Sequence, residues 1–171
     1  SSLSPMLPCP MRKNLSSSVL SDVEPLMDGD LHLRPLAAQD EEYVVRWRQQ
    51  PEVLSQLFSE AGPTLDQHRR WFAALSHRTD NVEFIIVERG NPVGSIGLSG
   101  VSPESGGELR ILIGETSARG RGVASRALSL FLDHAFSGMG LPLVRLQFFA
   151  DNAPADRLYR RIGFVDDPTP V

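Results

Sequence analysis

The sequence has one cysteine, Cys9, so it cannot form an internal disulfide, and a reducing cytoplasm is the expected compartment. No apolar run approaches the roughly 20 residues that a membrane span needs. Prolines and serines break up the N-terminus, leaving no apolar signal core. Cationic excess is missing too: the formal net charge is −4, which argues against nucleic acid as a partner. The four histidines, His32, His68, His77 and His134, show no metal-ligand or triad spacing, so no metal is expected. What remains is a chain of 171 residues, 41% hydrophobic and 22% charged, the profile of one globular domain.

Charge is unevenly spread. Residues 1–109 carry 9 basic and 15 acidic side chains, whereas residues 110–161 carry 8 and 4. The basic excess coincides with the most structured motif in the chain. Glu108 to Ile113 alternates and then turns apolar, as a strand with a buried face does. Arg119-Gly120-Arg121-Gly122-Val123-Ala124 follows, and Ala124, Ala127, Leu128, Phe131 and Ala135 then recur at helical spacing. Glycines bring the backbone close to a ligand, and the free N–H groups of a helix's first turn bind anions, most often phosphate. Arg119, Arg121 and Arg126 add positive charge. Neither the nucleotide P-loop nor the dinucleotide glycine fingerprint fits, since Ser125 stands where a third glycine would fall.

The remaining pattern places the other elements. Residues 1–29 lack periodicity and read as a disordered or vector-derived tail, with Met11 or Met27 as alternative starts. Residues 30–171 read as a single domain. Leu31–Leu36 is expected as a strand closed by Pro35, and 38–49 as a helix. A short helix is expected over 52–58, and another from the Thr64/Gln67 capping box to 76. Strands over 82–88 and 93–99 meet at a tight hairpin. A strand over 143–149 precedes a helix over 153–162, capped by Asp151-Asn152 and closed by Gly163. Phe164-Val165 begins a last short strand.

Two motifs then converge. Arg119, Gly122 and Ala124 fit Arg/Gln-x-x-Gly-x-Gly/Ala between strand and helix. Asn152, Tyr159 and Gly163-Phe164 fit a second pattern of Asn, helix, Tyr and Gly-Phe. Together they resemble the GNAT superfamily of N-acetyltransferases over residues 30–165. The resemblance implies an α+β fold: a mixed, mostly antiparallel central sheet flanked by helices, with one splayed pair of parallel strands. It implies acetyl-CoA as acetyl donor and direct N-acetylation of a primary amine on a small molecule or peptide.

It further implies that Ile111, Leu112 and Ile113 hold the pantetheine arm strand-fashion. Gly120, Gly122, Val123 and Ala124 would meet the pyrophosphate, flanked by Arg119 and Arg121. Asn152 would touch the arm. Tyr159 is the candidate acid for the leaving thiolate, and Glu108 the candidate base. Val45 to Val53 and His68 to Phe72 resemble the acceptor side of amino-sugar nucleotide acetyltransferases, with Trp47, Arg48 and Trp71 as substrate-binding candidates. Tryptophan on an amphipathic helix is more often a core residue. Peptide-acetylating Rim-type relatives carry the same segment, so a peptide or ribosomal-protein acceptor is the alternative, and a non-catalytic acyl-CoA-binding module a third. Family members usually continue for another strand pair past Gly-Phe. The short end at Val171 reads as truncation, or as a sheet edge completed by a second copy in a homodimer.

Overall fold

The computed structural model describes residues 7–8, 26–54, 62–75, 77, 79–148 and 152–165. Seven strands form one sheet: β1 (Leu7–Pro8), β2 (Leu26–Asp28), β3 (Leu31–Pro35), β4 (Val82–Glu88), β5 (Asn91–Ser102), β6 (Gly106–Ile113) and β7 (Val144–Leu146). Their order is β1-β7-β6-β5-β4-β3-β2. Every neighbouring pair is antiparallel except β6 and β7, which run parallel. That parallel ladder holds two pairs, Gly107 with Val144 and Glu108 with Arg145. Past Glu108, β6 pairs with β5 alone among the described residues.

Alternation along the strands builds two cores. Leu31, Leu33, Phe84, Ile86, Ile96, Leu98 and Leu109 point to one face. They pack there against Val123, Ala127, Leu128 and Phe131 of α4 (Val123–Asp133), with Phe164. Ile85 and Val87 point the other way, against Val44 and Trp47 of α1 (Glu41–Arg48). α3 (Leu65–Leu75) lies beside α1 and begins with the expected capping box. The Thr64 N–H donates to Gln67 Oε1 at 2.8 Å, and the Gln67 N–H donates to Thr64 Oγ1 at 3.1 Å. α2 (Pro51–Leu54) is short; the rest of the expected 52–58 helix lies outside the described residues, as does Asp151. α5 (Ala153–Ile162) completes the α4 side.

Several boundaries differ from the sequence reading: Leu7–Pro8, assigned to the tail, pairs with β7 as strand β1, and β5 runs over 91–102 rather than 93–99. Leu26–Asp28, assigned to the tail, forms a hairpin with β3 in which Leu26 faces Leu33 and packs on the larger core. Its apolar partner lies across a turn, so no periodicity within 1–29 reveals it. Strand β7 covers 144–146, and Phe149, the end of the expected strand, lies outside the described residues. Phe164-Val165 is not a strand: Gly163 (φ 122°) closes α5, and the Phe164 N–H bonds the Tyr159 carbonyl at 2.9 Å. That closure buries the Phe164 ring.

Candidate active site

The end of β6, beyond its short ladder with β7, borders a cleft of about 410 Å³. Ile111, Leu112 and Ile113 supply its strand edge. Arg119, Gly120, Gly122, Val123 and Ala124 supply its floor, and Asn152 and Tyr159 its far wall. Nine residues expected to hold the cofactor therefore meet in one place, joined by the candidate acid.

The floor is shaped by backbone conformation. Gly120 and Gly122 have φ of 74° and 78°, and a Cβ on either would meet nothing within 4 Å. Glycine is needed there for the left-handed turn, not for lack of space. Gly122 is also the N-cap of α4 and has no side chain to cap the helix, so first-turn N–H groups stay free for a ligand. Uncapped donors at the positive end of an 11-residue helix, with open space over both glycines, suit a pyrophosphate.

The arginines behave differently from expectation. Arg121 turns away from the cleft: its Nε donates to the Ser117 carbonyl at 2.9 Å, and its guanidinium pairs with buried Glu88. Arg126 reaches Asp30 at 3.0 Å and the Asp28 carbonyl at 2.8 Å. Both partners come from other strands, so each cation is consumed by the acid that topology brings beside it. Arg119 does line the cleft, but as a strut. Its Nε donates to the Ile113 carbonyl at 3.0 Å, and its other nitrogens donate to Gln50 Oε1 at 3.1 Å and Glu52 Oε1 at 3.3 Å. Charge at the floor thus comes chiefly from the helix end. Arg161 of α5, which sequence reasoning passed over, also lines this cleft.

Asn152 caps α5 by accepting the Ala155 N–H at 3.3 Å, while its side chain stands on the cleft wall. Tyr159, two turns on, is held between Phe148 and Phe164, with ring centroids at 5.3 and 5.9 Å. Burial pushes its phenol up to about 12, so it keeps its proton at neutral pH. A second cavity of about 270 Å³ adjoins the first, sharing Val53, Ile111, Leu112, Asn152, Ala155 and Tyr159. Glu108 and Arg110 line this second space. The candidate acid and base therefore border one cavity beside the cofactor cleft.

The acceptor-side candidates divide. Trp47 is completely buried: its indole covers Gly114 and its Nε1 donates to Glu115 Oε1 at 2.8 Å. It is a core residue, and the expected pocket role does not hold. Trp71 packs on His68 at 5.6 Å and borders neither cavity. Arg48 borders neither as well, lying largely buried behind Arg110 with its Nε unpartnered. Sequence reasoning missed Arg110 and Glu83. Their signal was a charged residue on the inward phase of an apolar strand: Glu83 within Val82–Glu88, and Arg110 between Leu109 and Ile111.

Comparison with known proteins gives the family and the fold. A family model described as an acetyltransferase (GNAT) domain matches residues 30–165. An N-acetyltransferase 9-like protein of Nematostella vectensis is 26% identical over 135 residues, which cover 70% of this chain. The match spans 66% of that relative's own length. Among solved structures, spermidine N-acetyltransferase from Vibrio cholerae in complex with CoA and spermine superposes with a TM-score of 0.77 at 22% identity, covering 82% of this chain and 83% of that one. A dodecameric structure of the same enzyme gives 0.71 at 20% identity, with 82% of each chain covered. RimL, a ribosomal L7/L12 α-N-protein acetyltransferase in complex with coenzyme A, gives 0.71 at 15% identity, covering 81% and 82%.

Proposed function

The chain belongs to the GNAT acetyltransferase family, and on that premise we propose that it transfers acetyl from acetyl-CoA to a primary amine. One observation carries the reading: the uncapped start of α4, the end of β6 at Ile111–Ile113 and Tyr159 line a single cleft. Acetyl-CoA supplies an activated acyl group; the protein's own residues supply position and protons. The N–H groups after Gly122 hold the diphosphate, and the free edge at Ile111–Ile113 aligns the arm as an added strand would be aligned. Proximity then accounts for much of the rate, since the amine is held against the thioester carbonyl. Glu108, directly or through a water, takes the proton the amine must lose. Tyr159 donates to the sulfur as the carbon–sulfur bond breaks, and regains a proton from solvent afterwards. No covalent link to the enzyme is needed.

Support for the acceptor is coarser. The similar solved structures include a spermidine N-acetyltransferase and a ribosomal L7/L12 α-N-protein acetyltransferase. An amino-sugar nucleotide acceptor loses its main residue with Trp47 in the core. The direct test measures free CoA release with the purified chain and acetyl-CoA against spermidine, short peptides and amino-sugar nucleotides. Release with any amine supports the enzyme; tight CoA binding with no turnover would favour an acyl-CoA-binding module. Light scattering on the same sample tests the expected homodimer.

A further inference from the structure

The second cavity is lined by a charge that the transfer reaction does not use. Arg110 faces it, with 38% of its side chain exposed, whereas the partner of Arg110, Glu83, is 8% exposed. The two pair across Gly97, which lies between them in the sheet, opposite Glu83 on one side and Arg110 on the other. A Cβ on Gly97 would sit 2.6 Å from the Glu83 carboxylate, so this glycine keeps the path between them open. Behind the pair lies Arg48, whose charge is felt by both.

Among the described residues this cluster counts two guanidiniums and one carboxylate. The Nε groups of Arg48 and Arg110 are both buried without a hydrogen-bond partner. Burial first, and then the neighbouring Arg110 charge, hold Arg48 below its ordinary value against the opposing pull of Glu83. Arg110 is the member of this cluster that borders the cavity, and a part-exposed guanidinium backed by a second positive charge is a site for an anion. On the same face of β6, two residues away, stands Glu108, about 7 Å distant along the strand. One end of the cavity therefore suits an ammonium and the other an anion.

We infer that the amine acceptor carries an anionic group, carboxylate or phosphate, that Arg110 binds while Glu108 receives the amine. Glu83 and Arg48 are positioning residues that fix the Arg110 guanidinium. The inference rests on the acetyltransfer reading for the role of the cavity. It sets this chain apart from a polyamine enzyme, because a second ammonium would meet Arg110 unfavourably.

Calorimetry on the full chain saturated with CoA tests it without requiring turnover. The titrants are β-alanine and β-alaninamide, O-phosphoethanolamine and ethanolamine, and spermidine. The expected result is at least tenfold tighter binding of the anionic member of one or both pairs than of its neutral partner or of spermidine. The pair that discriminates identifies carboxylate or phosphate. Arg110→Gln should bring that ratio close to one. Should this variant fail to fold with Glu83 left unpaired, the double variant Glu83→Gln/Arg110→Gln removes both charges and should show the same loss. Equal binding of neutral and anionic amines, tighter binding of spermidine, no binding of any titrant, or a preference that survives loss of Arg110 would each overturn the inference. CoA affinity, measured first in the same instrument, reports separately on the acetyltransfer reading.

Discussion

The indole nitrogen of Trp47 donates to Glu115 Oε1 at 2.8 Å, joining α1 to the turn that leads into the glycine loop. Arg46 pairs with the same carboxylate from the outside. Glu115 thus receives two donors from one helix, and the ring between them covers Gly114.

Trp47→Ala removes the ring, the hydrogen bond and the cover over Gly114 together. A loss of about 3–5 kcal/mol in stability is expected, typical of emptying an aromatic site in a core. Thermal melting checks it. An unchanged melting temperature with a raised KM for the amine would return Trp47 to the acceptor pocket.

Gly122→Asp introduces a carboxylate at the N-cap of α4 and strains a φ of 78°. Negative charge there competes with the diphosphate for the same N–H groups. CoA affinity should fall at least tenfold while circular dichroism still shows the fold. Unaltered binding in a folded variant would remove this loop from the cofactor site.

Tyr159→Phe keeps the ring between Phe148 and Phe164 and removes the phenolic proton. The value of kcat should drop by about 10²-fold or more, with CoA binding nearly unchanged, as for loss of one placed proton donor. Because the phenol is pushed up to about 12, the wild-type rate should show no loss from Tyr159 ionisation up to about pH 11. A kcat within twofold of wild type would exclude Tyr159 from the chemistry.

His68 is buried with its Nε2 unpartnered, and burial holds its imidazole below the ordinary 6.5. The unfolded chain then takes up this proton first as pH falls. Stability contributed by neutral His68 is therefore complete above about 6.5 and drains away below it. His134, depressed for the same reason, adds to the trend. Melting temperature should fall between pH 7 and 5, and His68→Leu should flatten part of that slope. An unchanged slope in the variant would show that His68 does not carry it.

Much of this was readable from short-range pattern. The Thr64/Gln67 box, the turn at Arg89-Gly90, the strand–glycine–helix unit and the cap at Asn152 all depend on neighbours within a few residues. Each stands where its local chemistry places it. Long-range pairing was not readable. Arg121 finds Glu88 from 33 positions away, and Arg110 finds Glu83 from 27, through a sheet order that no local spacing encodes. Trp47 was ambiguous for the same reason: an apolar helix stripe does not say whether a ring meets a sheet or a pocket. The buried face of β4 decides it, with Ile85 and Val87 waiting opposite.

The Arg119 strut has a consequence for how the two ligands meet. One guanidinium holds the end of β6 through the Ile113 carbonyl and also holds Gln50, just before α2, and Glu52 within it. Val53 of that helix forms a wall common to both cavities. On the proposed reading, tightening of the glycine loop around its anion would pass through Arg119 to the wall of the proposed acceptor cavity. Donor and acceptor would then share a free-energy coupling, and by linkage each would alter the affinity of the other by the same factor.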